Sequence, residues 1–279
     1  MTIDELLRSI TDRLTAAGVP SARVDAELLL AHALGVERSV LVVRSRDTVD
    51  ATLVEPLVAR REAREPLQHV LGLAPFRHLL LEIGPGAFIP RPETELLVDA
   101  ALPVLAAIES PLLIDLCSGS GAIAAAVAHE APHTRVIAIE READALRWLR
   151  RNTDHLGVEV LAGDATDPEL LAARRGTVDV VLANPPYVPA AAIVDVEVGA
   201  DPAAAVFGGA DGLAVIPHVI ARAADWLRPG GLFAMEHESS QGRVVPELLR
   251  RDGGGGRWAE IVDHRDLAGR PRYVTAIRT

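Results

Sequence analysis

The sequence predicts an α/β protein: a mostly parallel seven-stranded sheet covered on both faces, preceded by a small all-α bundle. Two observations predict this. From residue 112 onward, short apolar runs alternate with stretches of helical periodicity, the pattern of strands buried between covering helices. Over the first ~70 residues, apolar side chains recur at helical intervals instead. A Gly- and Pro-rich stretch separates the two patterns.

The elements follow in order. Thr2 and Glu5 have capping-box spacing and lead into Leu6, Leu7, Ile10 and Leu14, a helix that Gly18 and Pro20 stop. Ser21 is placed to cap a second helix carrying Val24, Leu28, Leu29 and Leu34, which ends at Gly35. Further helical stretches lie near 40–43 and 51–64. In the segment LLLEIGPGAFIPRP, the Gly-Pro-Gly triplet falls between apolar runs and predicts a hairpin turn. Strands are then expected at 112–117, 135–140, 158–162, 178–183 and 231–236, with a final pair near 258–262 and 273–277. The expected division is a helical domain at 1–73, a hairpin linker at 74–91 and an α/β domain at 92–279.

Composition narrows the function classes. Apolar residues make up 49% and charged residues 24%, as in ordinary globular proteins. No apolar run reaches a membrane span, and MTIDELLRSI lacks the apolar core of a secretory signal. One cysteine allows neither an intrachain disulfide nor a cysteine-built metal site, so a cytoplasmic protein without metal is expected. The net charge is −11, and the one dense basic stretch, ARREAR at 59–64, is interrupted by an acid. That balance disfavours a long phosphate backbone as partner. Residues 253–256, four glycines in a row, read as a loop before the last strands.

Two stretches carry chemistry. In LLIDLCSGSGAIA, at 112–124, a buried strand runs through the small residues Cys117, Ser118, Gly119, Ser120 and Gly121 into a helix. Glycines there let the backbone approach a ligand closely. Glu140 ends the next strand about twenty residues on, where an acid binds ribose hydroxyls. Two cofactors fit. The spacing Gly119-x-Gly121-x-x-Ala124 also matches a dinucleotide fingerprint, but a pyrophosphate wants no acid nearby, and Asp115 sits just before the loop. S-adenosylmethionine (SAM), with its ammonium and sulfonium, is favoured by that carboxylate. Cys117 reads as a small filler, since no histidine lies beside it in sequence to activate it. Asp164, in AGDATD, follows the third strand, on the side expected to face the adenine, and doubles as a turn-capping aspartate.

The second stretch is LANPPYV, at 182–188. Asn184 ends a buried strand, where open α/β sheets bind ligands. Pro185 biases Asn184 towards extended geometry, and Pro185 and Pro186 each fix their own φ. The arm presents a side-chain carbonyl from Asn184 and a main-chain carbonyl from Pro185. Two such acceptors suit the two protons of an –NH2 group on a planar conjugated carbon, and Tyr187 offers a flat surface for that plane. Nitrogen held ~3–3.5 Å from a sulfonium methyl is in a near-attack position.

The tetrapeptide alone indicates an amino-directed methyltransferase. The rest of the chain resembles the peptide chain release factor glutamine methyltransferases, the HemK/PrmC family. FIPRPETELLV, at 88–98, resembles the segment before that family's SAM loop. EPLQHVLGLAPF resembles its interdomain stretch, and DPAAAVFGGADGL its loop after the tetrapeptide. MEHESSQG is similar to its fifth-strand end, and DLAGRPR to its C-terminal signature. The resemblance implies a SAM-dependent Rossmann-like methyltransferase domain and a helical domain that recognises substrate. It implies methyl transfer to the glutamine of the Gly-Gly-Gln motif in release factors. A monomer is expected, and charge and hydropathy leave neither nucleic acid nor membrane as an expected partner. Carried over, Asn184 and Pro185 hold the glutamine amide and Tyr187 stacks on it, beside Pro186. Residues 117–121, Glu140, Asp164, Ala165 and Asn184 line the SAM site. Phe88, Arg91, Glu93 and Thr94 shape the substrate wall. The family commonly has glycine at Cys117, a large aromatic at Ala165 and glycine at Glu238, so a slightly shifted methionine end of SAM and altered adenine packing are expected. Two alternatives stay open. A glutamine methyltransferase of a ribosomal protein would usually carry Pro-Arg-Ser-Pro where this chain has Pro90-Arg91-Pro92-Glu93. A nucleic-acid amino-methyltransferase would need a base-flipping pocket, against which nine aromatics in 279 residues argue.

Overall fold

The computed structural model describes residues 1–279. The chain divides into two compact units, residues 1–73 with 195–200, and residues 74–194 with 201–279. No helix is long and apolar enough to cross a membrane.

The first unit is helical: α1 (Ile3–Ala16), α2 (Ala22–Leu34), α3 (Arg38–Val43), α4 (Glu55–Glu62) and α5 (Leu67–Leu71). The capping box forms, with the Glu5 amide donating to Thr2 Oγ1 at 3.3 Å and the Thr2 amide to Glu5 Oε2 at 2.9 Å. Ile3, Leu6, Leu7, Ile10 and Leu14 are buried on one face of α1. Two expectations for α2 are corrected. Ser21 does not cap the backbone, because its hydroxyl donates to Asp25 Oδ1 at 2.7 Å. The buried face is Ala22, Asp25, Ala26, Leu29 and Leu30, and Val24 is exposed. The cause is Arg61, a buried guanidinium on α4. Its Nε donates to Asp25 Oδ2 and its Nη2 to Glu197 Oε1, both at 2.7 Å, which turns Asp25 inward. Arg60 pairs with Glu65, and Arg64 with Glu197. The ARREAR stretch is therefore largely neutralised by carboxylates of its own unit.

A hairpin follows at the change of unit, β1 (Leu73–Phe76) and β2 (Leu79–Glu82). Its turn falls at Arg77–His78, not at Gly84–Gly86 as expected, and Arg77 takes φ 51°. The Arg77 guanidinium anchors that turn on Glu130 and Asp99, and its amide donates to Glu95 Oε1 at 2.9 Å. The main sheet follows: α6 (Glu95–Ala106), β3 (Leu112–Leu116), α7 (Ala122–Glu130), β4 (Arg135–Glu140), α8 (Ala143–Thr153), β5 (Glu159–Ala162) and β6 (Val178–Ala183). Then come α9 (Ala203–Val206), α10 (Ile216–Trp226), β7 (Leu227–Glu236), α11 (Val244–Arg251), β8 (Trp258–Arg265) and β9 (Pro271–Arg278). The seven strands lie in the order β5-β4-β3-β6-β7-β9-β8. β9 runs antiparallel to both neighbours, and the other strand pairs are parallel.

Alternation along the strands builds two cores. Ile114, Leu116, Ile137, Ile139, Val181 and Phe233 pack towards α10 and α11. Leu113, Val136, Ala138, Val180 and Leu182 pack on the other face, towards α6, α7 and α8. Burial on both faces explains why the central strands read as continuous apolar runs. The strand order reverses direction between β3 and β6, the place where open α/β sheets bind ligands off their carboxyl ends.

Candidate active site

The register brings the two chemical stretches together. Leu116 on β3 pairs with Ala183 on β6, so the loop from Cys117 and the arm from Asn184 leave the sheet side by side. Ala183 in turn pairs with Met235, which puts Glu236, the last residue of β7, beside Asn184.

The loop at 117–121 is built for close backbone approach. Cys117, Gly119 and Gly121 have φ of 65°, 56° and 85°. A Cβ on Gly119 would meet nothing within 4 Å, whereas one on Gly121 would lie 2.6 Å from Leu149 Cδ1. Gly119 thus leaves open space above the loop, and Gly121 lets α7 pack on α8. The Cys117 side chain does not move the loop out of the left-handed region. Burial, reinforced by the charges of Glu140 and Asp115, pushes its thiol far above the ordinary range, so it stays protonated as a filler.

Asp115 is fully buried. Its Oδ2 accepts from the Ala124 amide at 3.2 Å, while Oδ1 has no hydrogen-bond partner. Burial raises this carboxyl to about 7, with Glu140 adding to the rise. A buried carboxylate oxygen without a donor beside an open glycine loop fits a cationic ligand such as the SAM ammonium. Glu140, at the end of β4, braces the loop: Oε2 accepts from the Gly119 amide at 2.8 Å, and Oε1 from the amides of Arg141 and Glu142. Asp164 forms the turn cap, accepting from the Thr166 amide and hydroxyl at 2.8 Å, and Arg141 reaches it at 3.3 Å. The Ala165 side chain is buried in the apolar core.

The arm at 184–188 is held from three sides. Val188 and Phe207 form a parallel bridge, and the Gly208 amide donates to the Val188 carbonyl at 2.9 Å. A Cβ on Gly212 would sit 2.1 Å from the Tyr187 carbonyl oxygen, and one on Gly208 2.5 Å from that of Pro186. Gln241 Nε2 donates to the Tyr187 carbonyl at 3.1 Å and to that of Gly212 at 3.3 Å. Glu238, at a position where glycine is expected, caps the short turn that carries Gln241.

Asn184 Nδ2 donates to Thr94 Oγ1 at 3.2 Å, and the Thr94 hydroxyl donates to Glu236 Oε2 at 2.7 Å. The Tyr187 hydroxyl donates to Glu236 Oε1 at 2.6 Å. Burial raises the Glu236 carboxyl, opposed by those two hydroxyls and by the Arg272 charge. The Tyr187 hydroxyl is pushed well above its usual range by burial, then by Glu236. Arg91 lies apart from this network, paired with Asp201 Oδ2 and lying 5.1 Å from the centre of the Phe88 ring. Asp201 also accepts from the Ile89 amide at 3.0 Å, so the Phe88–Arg91 wall is a braced one. Glu236 and Gln241 were not singled out from sequence. Their signal was position, since MEHESSQG runs off the carboxyl end of a sheet strand, but nothing local says which side chains turn towards Asn184.

Comparison with known proteins agrees with this geometry. The PrmC N-terminal domain family matches residues 5–72, and the Methyltransferase small domain family matches residues 93–199. The release factor glutamine methyltransferase of Mycolicibacterium smegmatis is 47% identical over 98% of this chain and 96% of its own length. That of Streptomyces coelicolor is 46% identical over 95% and 94%. A 16S rRNA methyltransferase of Thermus thermophilus, solved with AdoMet and guanosine, superposes with a TM-score of 0.51 at 18% identity, covering 74% of this chain and 50% of that one, which shows the shared fold. On the strength of full-length identity and both matched domains, the chain belongs to the release factor glutamine methyltransferase family.

Proposed function

We propose that this chain transfers a methyl group from SAM to the side-chain amide nitrogen of the glutamine in the Gly-Gly-Gln motif of peptide chain release factors. The observation that carries the reading is the register of β3 against β6, which sets the Asn184-Pro185-Pro186-Tyr187 arm beside the open glycine loop. SAM, when bound, supplies an electrophilic methyl on a sulfonium. Asp115 and the loop at 117–121 would hold its amino-acid end, and Glu140, whose carboxylate braces Gly119, its ribose.

Asn184 Oδ1 and the Pro185 carbonyl accept the two amide protons of the substrate. Its nitrogen lone pair is delocalised into its own carbonyl, so the nitrogen is a poor nucleophile in water. Two fixed acceptors favour the positive charge that grows on nitrogen as the N–CH3 bond forms and the S–CH3 bond breaks. One proton is then lost to water, giving N5-methylglutamine and S-adenosylhomocysteine. Tyr187 limits the plane in which the amide can lie.

Intact-protein mass spectrometry of a release factor incubated with this protein and SAM tests the reading. We expect a gain of one methyl, about 14 Da, mapping by fragmentation to the Gly-Gly-Gln glutamine. Modification of a ribosomal-protein glutamine instead would transfer the assignment to that substrate. Asn184→Ala is expected to keep SAM affinity and lose ~10²–10³ in kcat, as for removal of one preorganised polar contact.

A further inference from the structure

We propose that Glu236 and Thr94 are positioning residues that set which face of the Asn184 amide meets the substrate. This rests on the reading above. Glu236 is buried at the end of β7, and each of its carboxylate oxygens already accepts from a hydroxyl, Tyr187 on Oε1 and Thr94 on Oε2. Burial raises this carboxyl, but both hydroxyls lie as donors to it and favour the ionised form, which can only accept. The single proton of the Thr94 hydroxyl is therefore committed to Glu236, and what Thr94 has left for Asn184 is a lone pair. Only the Nδ2 edge of the amide can face a lone pair, which matches the 3.2 Å contact from Asn184 Nδ2 to Thr94 Oγ1.

The consequence is functional. An asparagine amide is nearly symmetric in shape, and a half-turn about its last torsion exchanges oxygen and nitrogen. One orientation offers Oδ1 to the substrate –NH2. The other offers a second –NH2, a donor facing a donor. The chain Glu236–Thr94–Asn184 selects the first orientation before substrate arrives. The same carboxylate holds the Tyr187 hydroxyl, so one buried charge aligns both side chains of the arm. None of this is visible in the tetrapeptide, because Thr94 precedes it by 90 residues and Glu236 follows Tyr187 by 49.

Three variants test it. Thr94→Val keeps the shape and removes both links. Thr94→Ser restores the hydroxyl. Glu236→Gln keeps the shape and reverses polarity, since its amide nitrogen must donate to one of the two hydroxyls, which then sends its proton elsewhere. Thr94→Val and Glu236→Gln are expected to lose about 10–100-fold in kcat with SAM affinity unchanged, the scale of a misplaced reacting group. Thr94→Ser should recover most of that loss. Turnover near wild type in Thr94→Val, or a loss that Thr94→Ser does not recover, overturns the proposal. A readout independent of turnover separates it from the functional reading. In 15N-labelled protein, the Asn184 side-chain amide, identified by its absence in Asn184→Ala, should give one protected pair of proton signals in wild type and a pair averaged over two orientations in Thr94→Val. An unchanged signal overturns the positioning role whether or not the wild type methylates a release factor.

Discussion

Cys117 shows how a side chain can be accommodated at a left-handed position of a tight loop. It holds φ 65°, a conformation glycine adopts freely and a side chain adopts at a cost of roughly 1–2 kcal/mol. The cysteine recovers part of that by packing against the core behind β3. Glycine would relieve the strain but lose the packing and add roughly 0.5–1 kcal/mol of chain entropy. Cys117→Gly is therefore expected to leave stability within about 1 kcal/mol of wild type. Cys117→Val adds a second branch at Cβ where left-handed backbone tolerates it least, and should cost over ~2 kcal/mol and weaken SAM binding. Denaturant midpoints and calorimetric SAM titration check both. The sequence showed a small residue at this position. That the residue must turn left-handed follows from the loop's closure onto α7.

At the scale of the element, the arm at 184–188 is rigid for reasons beyond its prolines. Prolines restrict φ within the arm, but its direction is set by Gly208, Gly212 and Gln241, which pack on its carbonyls. A Cβ at Gly212 would stand 2.1 Å from the Tyr187 oxygen, on a residue with φ 77°. Gly212→Ala is expected to cost more than ~2 kcal/mol and to lower kcat more than SAM affinity, because the arm must yield. Paired unfolding and single-turnover measurements read the two effects. α2 carries a related lesson. Its apolar residues suggested a face through Val24 and Leu28, yet the helix is turned so that Asp25 meets Arg61. A buried ion pair outweighs one valine, since an unpaired buried carboxylate costs about 3–5 kcal/mol.

At the scale of the whole molecule, buried carboxyls make stability depend on pH. Asp115 titrates at about 7 in the folded protein and near 3.9 in an unfolded chain. Between those values the folded state binds more protons at this group, so its contribution to stability is fully present below the lower value and is lost as pH rises towards 7. Burial also raises Glu236 and Asp201, which act in the same direction. Asp115→Asn should flatten part of the decline between pH 5 and 7.5 in ligand-free protein, as denaturant midpoints at the two pH values would report. The helical unit carries no cofactor loop. Removing residues 1–70 should weaken release-factor binding more than about tenfold while SAM affinity changes little. Unchanged affinity for a release factor would assign recognition to the α/β unit instead.

Local chemistry determined much of this protein from sequence alone. Each of the seven runs falls on a strand, and the central ones, β3, β4 and β6, are apolar almost throughout because they are buried on both faces. The loop at 112–124 and the arm at 182–188 were legible because glycine and proline restrict the backbone wherever they occur. What only the tertiary structure decided was which distant side chains share a proton. The hairpin turn moved to Arg77–His78 because Glu130, Asp99 and Glu95 wait for Arg77 there. Asp25 turned inward for Arg61, and Thr94 and Glu236 converged on Asn184. Hydrogen bonds and ion pairs between residues far apart in the chain leave no periodic trace in it. They arise when packing removes the water that would otherwise satisfy each group alone.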